Sequence, residues 1–178
     1  MHKAAFNFYG GFTQSTIRSN IPAELGNRAG LGFGLGLDLR LSRNLWIGFD
    51  LLEVERNFSV DDGVVSNYDL AYIELPVKLR YVVGKNLHLF AGPYLASYLV
   101  SALESSQGNV TGVKNNFTND YGVTVGGWLG IHPSETVQLG VDVRYDIGFA
   151  DIRNTGVPYD FTNTRTLLVM ATFGFKIK

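Results

Sequence analysis

The sequence predicts an all-β fold: an eight-stranded antiparallel up-and-down transmembrane β-barrel with short turns at one end and long loops at the other. Three observations predict it. Apolar and polar residues alternate with period two in segment after segment. The connections alternate between tight turns and long polar stretches. And only 17% of residues are charged while 21 of 178 are Gly, against usual values of ~25% and ~7%.

The elements follow in chain order. Ala4–Phe12 gives a weaker alternation, and Ala29–Leu41 gives the clearest. There, Leu31, Phe33, Leu35, Leu37, Leu39 and Leu41 share one parity, with Gly30, Gly32, Gly34, Gly36, Asp38 and Arg40 on the other. No helix produces that pattern. Leu45–Leu51 is a third strand. Ile73–Val83 sets Ile73, Leu75, Val77, Leu79, Tyr81 and Val83 against Glu74, Pro76, Lys78 and Arg80. Leu87–Leu99 and Tyr121–Ile131 are weaker repeats. Val137–Phe149 alternates Val, Leu, Tyr, Ile and Phe with Gln138, Asp142, Arg144 and Asp146, and Leu167–Ile177 closes the set. Tight turns fall at Ser42-Arg43-Asn44, Gly84-Lys85-Asn86 and Pro133-Ser134-Glu135. Between them lie polar stretches at 15–28, 58–68, 102–119 and 150–163. An even strand number places both termini at the short-turn, periplasmic end and the long loops outside the cell.

Composition excludes several classes. Without Cys there is no disulfide framework, thiolate zinc site or cysteine nucleophile. A net charge of −1 carries no nucleic-acid footprint. No apolar run reaches the ~20 residues of a membrane helix. The opening Met1-His2-Lys3-Ala4 has no apolar signal core, so an exported chain reads as the mature part of a longer precursor. With no linker or second compositional block, residues 1–178 read as one domain.

Alternation alone does not say which parity faces outward, and a soluble lipocalin-like barrel would bury the apolar one. The polar parity is rich in Gly, which suits a narrow lumen. Its charges balance: Asp38, Asp50, Glu74, Asp142 and Asp146 stand against Arg40, Lys78, Arg80, Arg144 and Lys176. An enclosed lumen requires such pairing. Phe12, Trp46, Tyr81, Tyr121, Phe149 and Phe175 cluster near strand ends, as a lipid-interface girdle would. The apolar face is therefore expected to meet lipid. The lumen is expected to be plugged, since Tyr9, Phe90, Tyr94, Tyr98 and Trp128 also fall on the inward parity. Glu53 and Glu55 break this scheme by falling on the outward parity. Either the strand has left the membrane there, or a bulge near Leu51-Leu52 reverses its phase.

No catalytic, cofactor or metal site is expected. His132, Ser134 and Glu135 offer a triad by composition, but a tight turn points such side chains apart. His88 has no second His at ligand spacing. The Gly30–Gly36 run lies within a strand rather than between strand and helix, so it is no phosphate loop. Asp61-Asp62-Gly63 lacks the ligand count for calcium. Asn109-Val110-Thr111 and Asn116-Phe117-Thr118 match a glycosylation sequon that arises often by chance.

Tyr72-Ile73-Glu74-Leu75-Pro76-Val77-Lys78-Leu79-Arg80-Tyr81 resembles the Pro-containing strand of PorT-type outer-membrane β-barrel domains of Bacteroidota, which are OmpA-like eight-stranded barrels. Ala91-Gly92-Pro93-Tyr94, Asp120-Tyr121-Gly122, Arg144-Tyr145 with Gly148 and Asp151-Ile152, and Phe173-Gly174-Phe175 resemble that family's later strands. The resemblance implies a barrel in the bacterial outer membrane and a link, in the founding type, to secretion. Such barrels usually end on an aromatic residue, whereas this chain closes on Lys176-Ile177-Lys178, which shifts an insertion signal to Phe173 and Phe175.

The expected function is that of a non-enzymatic integral barrel. It is porin-like in fold but closed, serving structure, adhesion or a secretion complex through its loops or outer wall. Its partners would be outer-membrane lipid and envelope or secretion-complex proteins, with no nucleic acid. The alternatives are a lipid A deacylase-like enzyme and a soluble lipocalin-like ligand binder.

Overall fold

A strand whose two faces differ in polarity must bury one of them, and a sheet closed on itself does so without leaving an edge. The computed structural model of the chain takes this solution. It describes residues 3–19, 24–61, 65–84, 86–105, 108–110, 117–133, 136–152 and 161–177. The strands are β1 (Ala4–Ser19), β2 (Glu24–Arg40), β3 (Leu45–Glu55), β4 (Phe58–Asp61), β5 (Val65–Val83), β6 (Leu87–Ser105), β7 (Gly108–Val110), β8 (Asp120–Pro133), β9 (Val137–Gly148) and β10 (Phe161–Ile177). Every pairing is antiparallel. β1 pairs with β10 from Ala4↔Ile177 upward, which closes the ring.

Ten segments make eight staves. β4 occupies the same slot as β3, between β2 and β5, so the two are one stave interrupted at Arg56-Asn57. The β5 register runs through that interruption unchanged, from Glu55↔Ala71 to Phe58↔Tyr68. On the β2 side it slips by one residue, from Gly32↔Val54 to Asn27↔Phe58. β7 is a short hairpin partner of β6 beyond the ring.

This settles strand three. Burial alternates without a break from Gly48 to Val54, so the phase does not reverse near Leu51-Leu52. Glu53 is exposed on the outer wall, and the Glu55 carboxylate accepts a hydrogen bond from the Leu31 amide where β2 and β3 part. The stretches expected as loops at 15–28, 58–68 and 102–119 are in good part strand. On β1 the outward Thr16 and Arg18 are polar, so the apolar contrast that marks a strand fades while the ladder continues.

The outer wall is apolar around the ring. Phe12 and Ile131 are 68% exposed and Leu95 65%, with Leu35, Leu79, Leu129, Val143 and Val169 among the further exposed residues. Water would penalise a patch of this extent, and hydrocarbon does not. A soluble lipocalin-like barrel is thus the wrong way out for this chain, whose inward parity holds the charges. No helix among the described residues is long and apolar enough to cross a membrane; the strands do so instead.

Narrowness sets the inner composition. A Cβ on Gly36 would lie 2.8 Å from the Tyr9 ring and 2.5 Å from an Asp50 oxygen, and one on Gly140 2.5 Å from Trp128. Those glycines are the space the large rings occupy. Gly84 takes φ +80° in the β5–β6 turn, a conformation that costs Gly nothing.

Candidate functional site in the barrel interior

The inward face carries the polar chemistry in three tiers. In the middle, Asp50 receives Lys78 and the Arg144 Nη1 at 3.0 Å, while Arg144 Nε donates to Asp142 at 2.8 Å. The Tyr9 hydroxyl donates to Asp50 at 3.3 Å. The rings of Tyr9 and Phe90 flank both cations, 5.3 and 4.8 Å from Lys78 Nζ and 5.2 and 5.5 Å from the Arg144 guanidinium. All four charged side chains are inaccessible to solvent. Such a tier stands only because each charge has a partner in place. Tyr9 also packs with Leu52, Val54, Leu168 and Met170, so the lumen wall is apolar where it is not charged.

At the loop end, Arg56 is the centre. Its guanidinium lies 2.5 Å from Glu74, pairs with Asp120, and faces the rings of Tyr72 at 5.0 Å and Tyr94 at 5.3 Å. Asp120 also accepts from Tyr94 Oη at 2.9 Å and Thr164 Oγ1 at 2.6 Å. Above this knot, Ile17, Phe58, Val60, Tyr68, Leu70, Phe117 and Ile152 form a buried apolar cluster in which Phe58 and Tyr68 stack at 5.0 Å. Charge knot and apolar plug together seal this end.

At the turn end the packing loosens. Asp38 accepts from Arg80 Nη1 at 2.9 Å and Asn7 Nδ2 at 2.8 Å, and Gln138 donates to Asn7 at 2.6 Å. Below them a cavity of about 230 Å³ is lined by Arg40, Trp46, Arg80, His88, Trp128 and Lys176, among others.

These positions redraw the expected sites. Asp38, Asp50, Glu74, Lys78, Arg80, Asp142 and Arg144 are buried and ion-paired. Asp146 is buried but makes no ion pair among the described residues. Arg40 is not in the buried network: it donates to the Ser42 and Arg43 carbonyls and lies 5.7 Å over Trp46, bracing the β2–β3 turn. Lys176 stands with it at the mouth. Trp46 is a correction. It shares the inward parity of Gly48 and Asp50 and lines the cavity, so it does not belong to the outward girdle. Phe12, Tyr81, Tyr121, Phe149 and Phe175 do face outward.

Arg56 and Asp120 are additions to the expected network. Each continues an inward parity, Arg56 beyond Asp50, Leu52 and Val54, Asp120 ahead of Gly122 and Thr124. Following those parities past the last apolar outward residue would have found both. Within the described residues no three His, Asp or Glu side chains group as metal ligands. His132 pairs by backbone with Leu139, whereas Ser134, Glu135, Asp62, Gly63 and Asn116 lie outside the described residues.

Several outer-membrane barrels share the fold. Neisserial surface protein A matches with a TM-score of 0.56 at 15% identity, covering 97% of this chain and 99% of that one. Ail, the attachment invasion locus protein of Yersinia pestis, matches with 0.53 at 13%, covering 98% and 100%. Outer membrane protein W of E. coli matches with 0.53 at 11%, covering 99% of each. At these identities the likeness is one of fold. No curated protein is significantly similar in sequence. The family model for the outer membrane protein beta-barrel domain matches residues 1–154, most of the chain. With an apolar wall, a charge-paired lumen and a ring of eight antiparallel staves, the chain belongs to the outer membrane protein beta-barrel domain family and is an integral barrel of the bacterial outer membrane.

Proposed function

We propose that this barrel is a non-enzymatic envelope component that works through its loops or outer wall, as a structural anchor, an adhesin or a subunit of a secretion assembly. The carrying observation is that most of the buried charged groups of the lumen are committed to one another. Asp50, Glu74, Asp120 and Asp142 are held by Lys78, Arg56 and Arg144 behind aromatic rings, and a plug of Phe58, Tyr68 and Phe117 stands over them. Groups locked this way stabilise closure and are unavailable to a substrate. What remains to meet a partner is the loop end and the wall. The Pro-containing Tyr72–Tyr81 strand favours a PorT-type relationship, and with it the secretion role.

The test is site-specific photo-crosslinking in native envelopes. Probes go at Asp61 and Asn119 on the loop end and at Leu95 and Leu129 on the wall. The reading expects one or two discrete protein adducts from loop or wall probes. Lipid adducts alone at every position would overturn it. An enzymatic role would instead appear as altered lipid A in cells expressing the protein, abolished by Ser134→Ala.

A further inference from the structure

The outer wall is not uniform towards the loop end. Across β10, β1 and β2 it holds a groove of about 350 Å³, lined by Phe12, Thr13, Gln14, Ala29, Leu167 and Val169. Register makes these one patch: Phe12 pairs with Val169, and Gln14 lies between Leu167 on one side and Ala29 on the other. Phe12 stands proud of the wall while Ala29 is short, which leaves a hollow beside the ring. Further towards the loops on the same outward parity come Thr16, which pairs with Arg165, and then Arg18. Arg165 lies between the buried Thr164 and Thr166, and Arg18 follows the buried Ile17, so both are carried on the outer face. They are diagonal neighbours across the β1–β10 ladder, a spacing that long side chains span. Neither side chain makes an ion pair among the described residues, whereas Arg28 on β2 is engaged by Asp69 at 2.5 Å. The outward charges of β3 and β5 at this end, Glu53, Glu55 and Asp69, are acidic. Arg165 also pairs with Ile147, one outward step short of the girdle residue Phe149, so it borders hydrocarbon. Two like charges side by side at that border repel each other, and an anion at headgroup level relieves both.

We propose that this patch binds a phosphorylated glycolipid of the outer leaflet, of the lipid A class. One phosphate sits between Arg18 and Arg165, and one acyl chain lies in the groove below. The loop end of such a barrel is its outer-leaflet end. The order of groups along the wall is that of an amphiphile: the two cations, then the polar Thr16 and Gln14, then Phe12, Leu167 and Val169 at chain depth. A zwitterionic phospholipid sets its own ammonium against its phosphate, so it meets two guanidiniums with little net charge and binds more weakly. Inorganic phosphate meets the cations but leaves the groove unused. The site does not depend on any protein that the loops or the rest of the wall engage.

Native mass spectrometry of the full-length barrel, folded in detergent, reads the binding. The probes are bisphosphorylated lipid A, the same lipid stripped of both phosphates, phosphatidylethanolamine and inorganic phosphate. Lipid A is expected to be retained at one per barrel. The dephosphorylated lipid and phosphatidylethanolamine should bind at least about tenfold more weakly, since the charge-assisted contacts are lost. Arg18→Gln/Arg165→Gln should weaken lipid A by at least about tenfold, the share of two cations facing one phosphate. That double variant strands no carboxylate, and heat-dependent gel mobility checks its fold. Ala29→Phe, which fills the groove and leaves both arginines in place, should weaken lipid A about threefold or more through lost chain contact. Arg43→Gln, in the exposed turn at the opposite end, should leave the affinity unchanged. Equal retention of phosphorylated and dephosphorylated lipid A, unchanged affinity in the double variant or in Ala29→Phe, or an equal loss in Arg43→Gln would each overturn the proposal. So would a lipid-free dimer that Ala29→Phe splits, which gives the groove to a second copy of the chain, or saturation by inorganic phosphate at the affinity of lipid A.

Discussion

The two ends of the lumen solve the same problem differently. At the loop end, Arg56 satisfies two carboxylates at once and is covered by aromatic rings and an apolar cluster. At the turn end, Arg80 satisfies one carboxylate, and a cavity lies beneath it. Both guanidiniums are buried, at 2% and 3% side-chain exposure, so burial does not separate them. The difference lies in the number of carboxylates held and in what covers them: Arg56 bridges two beneath an apolar cluster, whereas Arg80 holds one beside a cavity.

The largest expected effect breaks the sealed end. Arg56→Met leaves Glu74 and Asp120 buried without their cation and should destabilise the barrel by about 3–5 kcal/mol. Chemical unfolding in detergent, followed by the gel-mobility difference between heated and unheated protein, measures it. Adding Glu74→Gln and Asp120→Asn to the same chain should recover most of the loss. A single variant as stable as the parent would show that the knot is not enclosed. Arg144→Met, which strands Asp142 and leaves Asp50 to Lys78 alone, belongs in the same range.

Next come the lipid-facing positions. Val77→Arg, on the outer face of β5 midway between Ile73 and Tyr81, should cost about 2–4 kcal/mol in a bilayer. The same change should cost little in a polar short-chain detergent. The contrast tells lipid contact from a merely exposed wall.

Arg80→Met should cost less than Arg56→Met, about 1–3 kcal/mol, because it strands one carboxylate beside a cavity that water can enter. An Arg80 loss equal to the Arg56 loss would erase the distinction between the ends. The smallest pair concerns packing. Gly148→Ala drives a Cβ to 2.1 Å from Thr164 Oγ1 and 2.5 Å from Asp120, against the sealed knot, for about 1–3 kcal/mol. Gly10→Ala, on the outer face with nothing within 4 Å, should be within about 0.5 kcal/mol of the parent.

The same contrast explains what was legible in the sequence. Across the membrane belt, lipid forces every outward residue to be apolar, so period two is loud: Leu31 to Leu41 shows strand, phase and facing together. Hence the eight staves, the inward parity and seven of the paired charges could be read directly. Beyond the belt the outward residues turn polar while the inward ones turn apolar, as in Phe58, Val60, Tyr68 and Leu70. The contrast cancels, and continuing strand looks like loop. Arg56 and Asp120, just past the belt, therefore show as lumen residues only when the inward parity is carried beyond the last apolar outward residue, and Glu53 and Glu55 look like a break in phase. At the other end Trp46 misled because aromatic character near a strand end suits a girdle, yet its parity places it inside. Pairing itself is not written in a sequence. Balanced counts show that charges can pair, but only the closed ring shows that Asp50 is shared by Lys78 and Arg144.

The central claim is that the lumen is closed by its own side chains, and ion conductance in planar bilayers tests it most directly. The closed lumen predicts that the wild-type barrel, inserted at single-molecule density, gives no stepwise conductance. Replacing Arg56, Tyr94 and Phe58 by Ala should also leave it without steps, because the Tyr9, Phe90, Lys78 and Arg144 tier still fills the middle of the lumen. Regular conductance steps from the wild-type protein would contradict the claim.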